Sequence, residues 1–372
     1  MKKILTLLAG STLAFYMQGC SDSGTSAKDD NPLSKGSVYV HSTDYVSPSG
    51  ELRWIDEDGK LSEKSLKFNQ DSKIVGIDGN LFVLERYKAD NLALVDPEEN
   101  ETKWQKKLDA NANPSDVVKA NKNEVWVALD GAAKFIKVSV KDGEPTKPVK
   151  TSAFCDGDGC SPNLVDFEVS GDTLFALFQR RGDNFKNPGL LGLYKLSSGD
   201  LLDTIRLAKK NPFAMAFAKG KLYVASTGVM EPVFDGDEYA YTETKADDAR
   251  GIEVVDLSKK KTSMVLDGKK LGGGVYGFAV DAKNGIAYAA IYKSDANVPL
   301  VEVDLEAKSV KTIEGVSDVE GSLFFDEKDE VLYIGDRNYS DPAVYTYEDG
   351  KLTKVKTATK DVLPPYSIAI VR

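Results

Sequence analysis

The chain has 372 residues, with 58 acidic residues against 48 Lys and Arg and a formal net charge of −10. This balance counts against a nucleic acid partner, because phosphate binding needs clustered Lys and Arg. His41 is the single histidine, which counts against Ser-His-Asp catalysis and His-ligated metals, and no GxSxG sequence is present. We therefore expect no catalytic residues of these kinds, no cofactor and no bound nucleic acid.

The first nineteen residues have the layout of an export signal. Lys2 and Lys3 give a positive start, and the apolar stretch from Ile4 to Met17 is too short to span a bilayer comfortably. The stretch leads into MQGC, which resembles the lipobox of bacterial lipoproteins. The resemblance implies that residues 1–19 are a lipoprotein signal peptide and that Cys20 is the site of lipid attachment, palmitate included. The alternative is an ordinary secretory signal with an incidental cysteine.

Residues 20–35 are rich in Ser, Gly, Asp, Lys and Pro and hold almost nothing to bury. This composition predicts a flexible tether that lets the folded part clear the lipid headgroups. Ser21 follows the cysteine and, by resemblance to the enterobacterial sorting rule, favours the outer membrane. We therefore expect a cell-envelope protein at the outer membrane, on its periplasmic face or at the cell surface, which touches the membrane through the lipid anchor alone.

Two cysteines remain after Cys20, in the sequence CDGDGC at Cys155 and Cys160. In an oxidising compartment they are expected to form a disulfide. The small loop between them predicts a modest stabilisation of about 2 kcal/mol. A redox pair is disfavoured by the four-residue spacing, and a zinc site by the small number of Cys and His residues.

A repeated strand pattern dominates the rest of the chain. Seven stretches alternate apolar and polar residues and carry an aromatic at the same place, with spacings of mostly 43 to 49 residues and one of 65. Such alternation predicts strands, and a period in the forties predicts propeller blades. The seven stretches begin at Ser37, Asn80, Glu124, Thr173, Lys221, Ile286 and Val331, and their aromatics are Tyr39, Phe82, Trp126, Phe175, Tyr223, Tyr288 and Tyr333.

Each unit is predicted to hold four antiparallel strands, because a further strand precedes most of these stretches and a hairpin with tight-turn residues follows each. The first unit lacks its first strand, and the chain ends in PYSIAIVR, a first strand without a unit. Residues 36–372 are thus predicted to form an all-β, single seven-bladed β-propeller whose ring is closed by the C-terminal strand. The alternative is a β-sandwich or a pair of barrels.

The stretches LYVAST, VEVDLEAKSVKTI and YKLSSGDLLDTIRL resemble the YVTN-type, surface-layer-like seven-bladed propellers. The resemblance covers nearly all of residues 36–372 and also extends to WD40-like repeats. It implies the fold and leaves the function open, because one propeller fold serves many functions.

The predicted loops differ between the two faces of the propeller. Connections from the second to the third strand, and from one unit to the next, lie on one face, which we call the loop-rich face. Its connections include residues 179–189 and 227–251, whereas those of the opposite, short-turn face are short throughout. Since long loops on a rigid scaffold often carry function, we infer that the loop-rich face binds a partner. The alternative is neutral drift in loop length.

Candidate ligand-binding residues lie where the second strands end on this face and beside the starts of the first strands. Tyr and Arg are common in strong binding surfaces, and a ring of arginines could hold a carboxylate, a sulfate or an acidic sugar. The alternative is that each arginine pairs with a neighbouring acid such as Asp130, Asp183 or Asp336. The candidates are Arg86, Tyr87, Asp116, Asp166, Arg180, Arg181, Tyr292, Arg337 and Tyr339.

Two acidic loops are candidate calcium sites, although neither reproduces a complete calcium-binding loop. One offers Asp156 and Asp158, and the other offers Asp235 and Asp237. The alternative is that both loops are simply solvated.

The sequence as a whole favours a non-catalytic binding or scaffolding module, monomeric and anchored at the envelope, whose loop-rich face engages a glycan, a peptide or an envelope protein. The alternative is a propeller enzyme, a carboxylate-based glycoside hydrolase or lyase acting on extracellular polysaccharide, with Asp116 and Asp166 as its first candidates.

Overall fold

The computed structural model describes residues 37–56, 58–155, 160–182, 185, 187–244, 248–294, 297–359 and 362–372. The predicted signal peptide, Cys20 and the predicted tether lie outside the described residues. Among the described residues, no helix is both long enough and apolar enough to cross a membrane.

The regular secondary structure of the described chain is almost entirely β-strand. The first sixteen strands are β1 (Ser37–Ser42), β2 (Ser49–Trp54), β3 (Lys60–Leu61), β4 (Leu66–Asn69), β5 (Ser72–Ile77), β6 (Asn80–Glu85), β7 (Asn91–Asp96), β8 (Glu101–Lys107), β9 (Pro114–Asn121), β10 (Glu124–Leu129), β11 (Lys134–Ser139), β12 (Pro145–Lys150), β13 (Leu164–Ser170), β14 (Thr173–Phe178), β15 (Pro188–Lys195) and β16 (Leu201–Lys210). A short 3-10 helix, Ser152–Phe154, lies between β12 and β13.

The second half continues the pattern, with one short helix, α1 (Gly268–Leu271), between β22 and β23. Its strands are β17 (Pro212–Ala218), β18 (Lys221–Ser226), β19 (Met230–Asp235), β20 (Glu238–Thr244), β21 (Gly251–Asp256), β22 (Lys261–Asp267), β23 (Gly274–Asp281), β24 (Ile286–Tyr292), β25 (Leu300–Asp304), β26 (Ser309–Thr312), β27 (Leu323–Asp326), β28 (Val331–Asp336), β29 (Ala343–Glu348), β30 (Lys351–Lys354), β31 (Lys356–Thr357) and β32 (Pro365–Val371).

The strands of the described residues form seven four-stranded antiparallel sheets. In chain order the sheets are β32-β1-β2-β4, β5-β6-β7-β8, β9-β10-β11-β12, β13-β14-β15-β16, β17-β18-β21-β22, β23-β24-β25-β26 and β27-β28-β29-β30. We number them one to seven. All seven predicted aromatic strands are present and begin at the predicted residues.

The first strands of the seven sheets contact one another in cyclic order: β32 with β5, β5 with β9, β9 with β13, β13 with β17, β17 with β23, β23 with β27, and β27 with β32. This closed order places the seven first strands around a common axis and the fourth strands at the outer edge of the propeller. The predicted all-β propeller is therefore confirmed.

The C-terminal strand closes the ring as predicted. β32 pairs antiparallel with β1, with Tyr39 opposite Ala369 and Val38 opposite Ile370. The pairing gives the first sheet its innermost strand and leaves β1 with partners on both sides, since β2 lies on its other edge. Closure of this kind removes an exposed sheet edge that would otherwise invite aggregation.

The repeated aromatics pack between neighbouring sheets. Trp126 of the third sheet is fully buried, and its indole Nε1 donates a hydrogen bond to the carbonyl of Leu196 in the fourth sheet at 2.8 Å. Tyr39 of the first sheet likewise donates to Asn100 Oδ1 of the second sheet at 2.9 Å. Each ring therefore fills the space between two sheets while its polar tip bonds to the turn between the third and fourth strands of the next sheet.

Two features of the fold differ from the sequence-based expectation. The connection from β2 to β4 is on the short-turn side but is long, and its strand β3 pairs in parallel with β31, joining the first and last sheets a second time. Residues 227–251, predicted as one loop, contain the antiparallel hairpin β19–β20. The β3–β31 pairing joins segments that are distant in sequence, which local patterning does not specify, whereas the hairpin pairs neighbouring residues whose acidic, polar sequence resembles a loop.

Candidate functional site

The loop-rich face carries a central ring of polar side chains, one from the end of each second strand. All seven are buried, with none more than 5% exposed. They are Thr43, Arg86, Asp130, Gln179, Thr227, Tyr292 and Arg337. The structure thus brings the predicted strand-end residues together around the axis, but as a packed polar layer under the loops.

Arg86 lies in this layer beside a carboxylate from its own sheet. Its Nε is 3.3 Å from Oδ1 of Asp71, the residue immediately before β5. The same Asp71 oxygen accepts a hydrogen bond from the Tyr366 hydroxyl at 2.9 Å. Arg86 is only 1% exposed, and neither its Nε nor its Nη1 makes a hydrogen bond of good geometry with a described residue. Asp71 therefore compensates the guanidinium charge, but two of the donor atoms have no well-placed acceptor in the described part of the chain.

Arg337 has an equivalent arrangement in the seventh sheet. Its guanidinium forms an ion pair with Glu320, which precedes β27, and its Nη2 donates to the Tyr339 hydroxyl at 2.8 Å. The guanidinium carbon also lies 5.4 Å from the ring centre of Tyr45 and 5.7 Å from that of Tyr339, within cation–π range. Arg337 is 5% exposed.

Arg180 and Arg181 follow β14 and point to different partners. Arg181 Nη2 bonds to both carboxylate oxygens of Asp130, in the third sheet. Arg180 Nε donates to the Phe154 carbonyl at 3.1 Å. Three of the four predicted arginines thus pair with acids, which agrees with the alternative that the arginines have neighbouring acids as partners. A buried ion pair is costly to break, because removing one partner leaves an uncompensated charge.

The acids that pair with these arginines are only partly those proposed from sequence. Asp130 pairs as expected, whereas Asp183 lies outside the described residues. Among the described residues Asp336 forms no ion pair with an arginine, and its Oδ1 instead accepts the backbone N–H groups of Asp318 at 3.0 Å and Asn338 at 3.2 Å. The Asp336 carboxylate therefore stabilises the two connections that precede and follow strands β27 and β28.

A second polar layer lies below the first, near the starts of the first strands. Lys73 Nζ donates to Asp116 Oδ1 at 2.8 Å, and both side chains are fully buried. Asp116 Oδ2 accepts the Phe167 N–H at 3.0 Å, and Asp166 Oδ2 accepts the Met215 N–H at 2.8 Å. Asp116 and Asp166 were predicted as ligand-binding residues, and the structure places them where they bridge neighbouring first strands.

Burial changes the titration of these acids. It raises the pKa of Asp166 well above its ordinary value, and the nearby Asp116 raises it further. Burial also raises the pKa of Glu168 well above its ordinary value, again helped by Asp116. Burial raises the pKa of Asp116 as well, although Lys73 works in the opposite direction. The physical cause is that a carboxylate loses its hydration when it leaves water.

Exposed aromatic side chains form the outer part of the loop-rich face. Among the described residues, four aromatic side chains are more than 40% exposed, and all four lie in connections between a second and a third strand. The exposed fractions are 49% for Tyr87, 55% for Tyr339, 56% for Phe234 and 41% for Tyr239. We call these four residues the aromatic rim. Lys88 Nζ lies 4.8 Å from the ring centre of Tyr87.

Tyr292 is not part of the aromatic rim. It is 2% exposed, and its hydroxyl donates to the Thr242 carbonyl at 3.0 Å. The structure therefore gives Tyr292 the role of holding the base of hairpin β19–β20.

Both cysteines of CDGDGC carry free thiols in the structure. The Cys155 thiol donates to the Cys160 carbonyl at 2.8 Å, and burial raises the pKa of Cys155 to about 12, with Cys160 adding to the shift. The disulfide stays a prediction. The calcium candidates Asp156 and Asp158 lie outside the described residues, whereas Asp235 and Asp237 flank the tip of β19–β20.

In the part of the chain that the structure describes, no group of three or more His, Cys, Asp or Glu side chains is arranged to hold a metal ion. His41 lies in strand β1. It is fully buried, packs edge-to-face on Tyr366 and has no hydrogen bond of good geometry at either ring nitrogen. Burial lowers the pKa of His41 to about 4, although the Asn69 carbonyl nearby works in the opposite direction.

Comparison with known proteins identifies the fold of the chain but not its family or function. The chain is similar to a putative 6-phosphogluconolactonase from Bacteroides fragilis, with a TM-score of 0.59 and 12% identity over 92% of this chain and 100% of that chain. It is also similar to the β-propeller domain of Cps50 (Swd1) from Myceliophteria thermophila, with a TM-score of 0.54 and 10% identity over 80% of this chain and 90% of that chain. The chain is a β-propeller.

A third similar structure is the WD40 domain of Pan2 from Neurospora crassa, with a TM-score of 0.53 and 7% identity over 78% of this chain and 80% of that chain. No protein-family model and no curated protein matches the chain. At these identities the likeness concerns the scaffold alone, and the function has to be argued from the site.

Sequence reasoning missed two acids that pair with arginines of the central ring, Asp71 with Arg86 and Glu320 with Arg337. The positions of these acids in the sequence could have indicated the pairing. Each acid stands just before the first strand of a sheet, and its arginine stands just after the second strand of the same sheet. Because those two strands are antiparallel neighbours, the start of one meets the end of the other.

Proposed function

We propose that this propeller is a non-catalytic binding module, held at the bacterial envelope by a lipid on Cys20, and that its loop-rich face engages a glycan, a peptide or an envelope protein. The observation that carries the proposal is the aromatic rim. All four strongly exposed aromatic side chains of the described residues share one face of the molecule. Exposed apolar surface concentrated in one place is typical of an interaction site.

The chemistry of the rim fits such a role. Tyr and Phe offer flat apolar surface and lose little conformational entropy when a partner covers them, and the Tyr hydroxyl can hydrogen-bond. The paired arginines beneath supply a rigid, pre-organised floor. Arg337 lies against Tyr339, so the floor and the rim are in direct contact. The lipobox-like sequence and the polar tether support the envelope location.

The state of the buried polar groups argues against catalysis. His41 is enclosed by other side chains, so it cannot reach a substrate. Asp116 and Asp166 are at most 1% exposed, and each already accepts a backbone N–H from the next sheet. A carboxylate that holds two sheets together is poorly placed to act on a sugar.

One observation favours the carboxylate enzyme as a second candidate. Burial and the nearby Asp116 raise the pKa of Asp166, and its Oδ1 has no hydrogen-bond partner among the described residues. Unequal acids of this kind serve as acid and base in glycosidases. Hydrolysis of a polysaccharide that is lost in Asp116→Asn and Asp166→Asn, while both variants stay folded, would establish this candidate over the binding module.

Thermal unfolding of the full chain against acidic glycans and peptidoglycan fragments tests the binding proposal. A ligand that binds only the folded state raises Tm by mass action. The double variant Tyr87→Ser with Tyr339→Gln removes the rim ring that contacts Arg337 and the ring of the residue that follows Arg86, and Gln keeps a polar group beside Arg337. The matched control is Leu201→Ser with Leu202→Ser, two exposed residues of the short-turn face.

The proposal expects a Tm shift that disappears in the Tyr87/Tyr339 variant and persists in the Leu201/Leu202 variant. The opposite pattern would move the binding site to the short-turn face. If none of these ligands shifts Tm, the glycan form of the proposal fails and a protein or peptide partner is left.

A further inference from the structure

The hairpin β19–β20, residues 230–244, projects from the loop-rich face, and we call it the hairpin arm. It is inserted between the second and third strands of the fifth sheet and belongs to no four-stranded sheet. Its base is fixed by the Tyr292 hydroxyl on the Thr242 carbonyl at 3.0 Å and by Arg250 Nη1 on the Thr244 carbonyl at 3.3 Å. Glu243 also forms an antiparallel bridge with Ser294 of the sixth sheet. The arm is thus an added element with an anchored base.

The far end of the arm presents two aromatic rings to solvent. Phe234 and Tyr239 pack edge-to-face, with ring centres 6.3 Å apart and planes at 82°. The Tyr239 hydroxyl lies 3.0 Å from Thr242 Oγ1, which ties the ring to the strand. The rings therefore hold each other in a defined arrangement although both are more than 40% exposed. The two rings therefore present preorganised, partly exposed apolar surface to solvent.

The charge of the arm is of one sign. Residues 230–244 contain five acidic residues and no Lys, Arg or His. Asp235, Asp237 and Glu238 are exposed at the tip, and within the described residues none of these three forms an ion pair. Acids on other turns of this protein do have lysine partners, as Asp256 with Lys259 and Asp341 with Lys354. The tip of the arm is therefore a patch of three exposed acids that lack a cationic partner among the described residues.

We propose that the hairpin arm is a docking site for a cationic segment of a partner protein, rich in Lys or Arg. The three tip carboxylates attract the segment and pair with its cations. The exposed faces of Phe234 and Tyr239 accept the ammonium or guanidinium groups by cation–π contact and cover their alkyl stems. A second copy of this chain does not fit, because its net charge of −10 repels the arm. The inference deepens the proposed function, on which it rests, by naming the partner's chemistry.

The test measures binding of a fluorescent peptide of alternating lysine and alanine to the full chain by anisotropy, in the presence of a metal chelator. An alternating glutamate–alanine peptide serves as the sign control. Two variants remove the two features separately: Phe234→Ser with Tyr239→Ser, and Asp235→Asn with Asp237→Asn and Glu238→Gln. A matched charge control, Glu98→Gln with Glu99→Gln and Glu101→Gln, changes three exposed acids of the short-turn face.

The proposal expects saturable binding of the lysine peptide, weakened roughly tenfold or more in both arm variants and unchanged in the Glu98/Glu99/Glu101 variant. If both acid variants weaken peptide binding equally and the Phe234/Tyr239 variant has no effect, the peptide is attracted by net charge alone. That result would overturn the docking proposal. Absence of binding also overturns it, as does a loss only in the Tyr87/Tyr339 variant. That last result would still support binding at the loop-rich face. The test therefore distinguishes a failure of the docking proposal from a failure of the proposed function.

Discussion

Asp166 on the first strand of the fourth sheet accepts a hydrogen bond from the backbone N–H of Met215 on the first strand of the fifth, at 2.8 Å. This contact joins two sheets that share no strand pairing, next to the axis of the propeller. It also gives a buried backbone N–H an acceptor that it needs. Equivalent contacts at two other boundaries link Asp116 to Phe167 at 3.0 Å and Ser367 to Ile74 at 3.1 Å.

The raised pKa of Asp166 has a consequence for stability. In the unfolded chain the carboxyl titrates near its ordinary value of about 3.9. In the folded chain burial and Asp116 raise its pKa well above that, so the folded state binds the proton more tightly. Its contribution to the free energy of unfolding is therefore present at low pH and lost as pH rises above about 4, by up to ~1.4 kcal/mol per pH unit.

Asp166→Asn should remove this loss because the amide oxygen can still accept from Met215 without a charge. We expect its free energy of unfolding in urea to exceed that of the wild type at pH 7 and to vary less with pH. Asp166→Ala, which leaves the Met215 N–H without an acceptor, should instead be destabilised by about 1–3 kcal/mol. A lower stability of Asp166→Asn at pH 7 would mean that the ionised carboxylate is the stable native form.

The pKa of His41 of about 4 predicts an acid-sensitive protein. The unfolded imidazole takes up a proton near pH 6.5, whereas the buried ring stays neutral until about pH 4. Stability is therefore lost as pH falls from 6.5 to 4, by about 1.4 kcal/mol per unit at most. Because His41 is the only histidine, its NMR signals can be followed directly, and a titration near pH 6.5 in the folded protein would contradict its burial.

Closure of the ring predicts a strong effect of Gly76→Ala. A Cβ on Gly76 would lie 1.8 Å from the carbonyl oxygen of Ile370 in the closing strand β32. The backbone must move apart, and we expect a loss of about 3 kcal/mol in the free energy of unfolding. Gly171→Asn is the control, since no atom lies within 4 Å of the Cβ position and Asn tolerates a positive φ. A harmless Gly76→Ala would contradict the packing of β32 against β5.

Lipid attachment at Cys20 is tested by labelling cells with a tritiated or alkyne fatty acid. The wild-type chain should incorporate the label and fractionate with the outer membrane. Cys20→Ala should lose the label and leave the membrane fraction, whereas Cys155→Ala should keep both properties. Membrane association of an unlabelled Cys20→Ala chain would argue for a second means of attachment.

Much of the fold could be predicted from sequence because its signals are local. The pattern of apolar, β-branched and aromatic residues around Trp126 or Tyr223 indicates a strand without reference to any other segment. The predicted starts of these strands agree with the structure. The hairpin arm was not predicted, because its acidic, polar sequence resembles a solvated loop. The pairing of Arg86 with Asp71 was also not predicted. The predicted strand order brings the two positions together, but the burial of the pair is not evident from the sequence.

The central claim is that the loop-rich face binds the physiological partner. A photoreactive benzoyl-phenylalanine inserts into C–H bonds of proteins and glycans alike, so it can be placed at Tyr87 or Tyr339 and, as controls, at the exposed Leu201 or Leu257 of the short-turn face. After irradiation of intact cells, the account predicts a discrete adduct from the Tyr87 and Tyr339 positions and none from the two leucine positions. Adducts only from Leu201 or Leu257, or equal labelling on both faces, would contradict it.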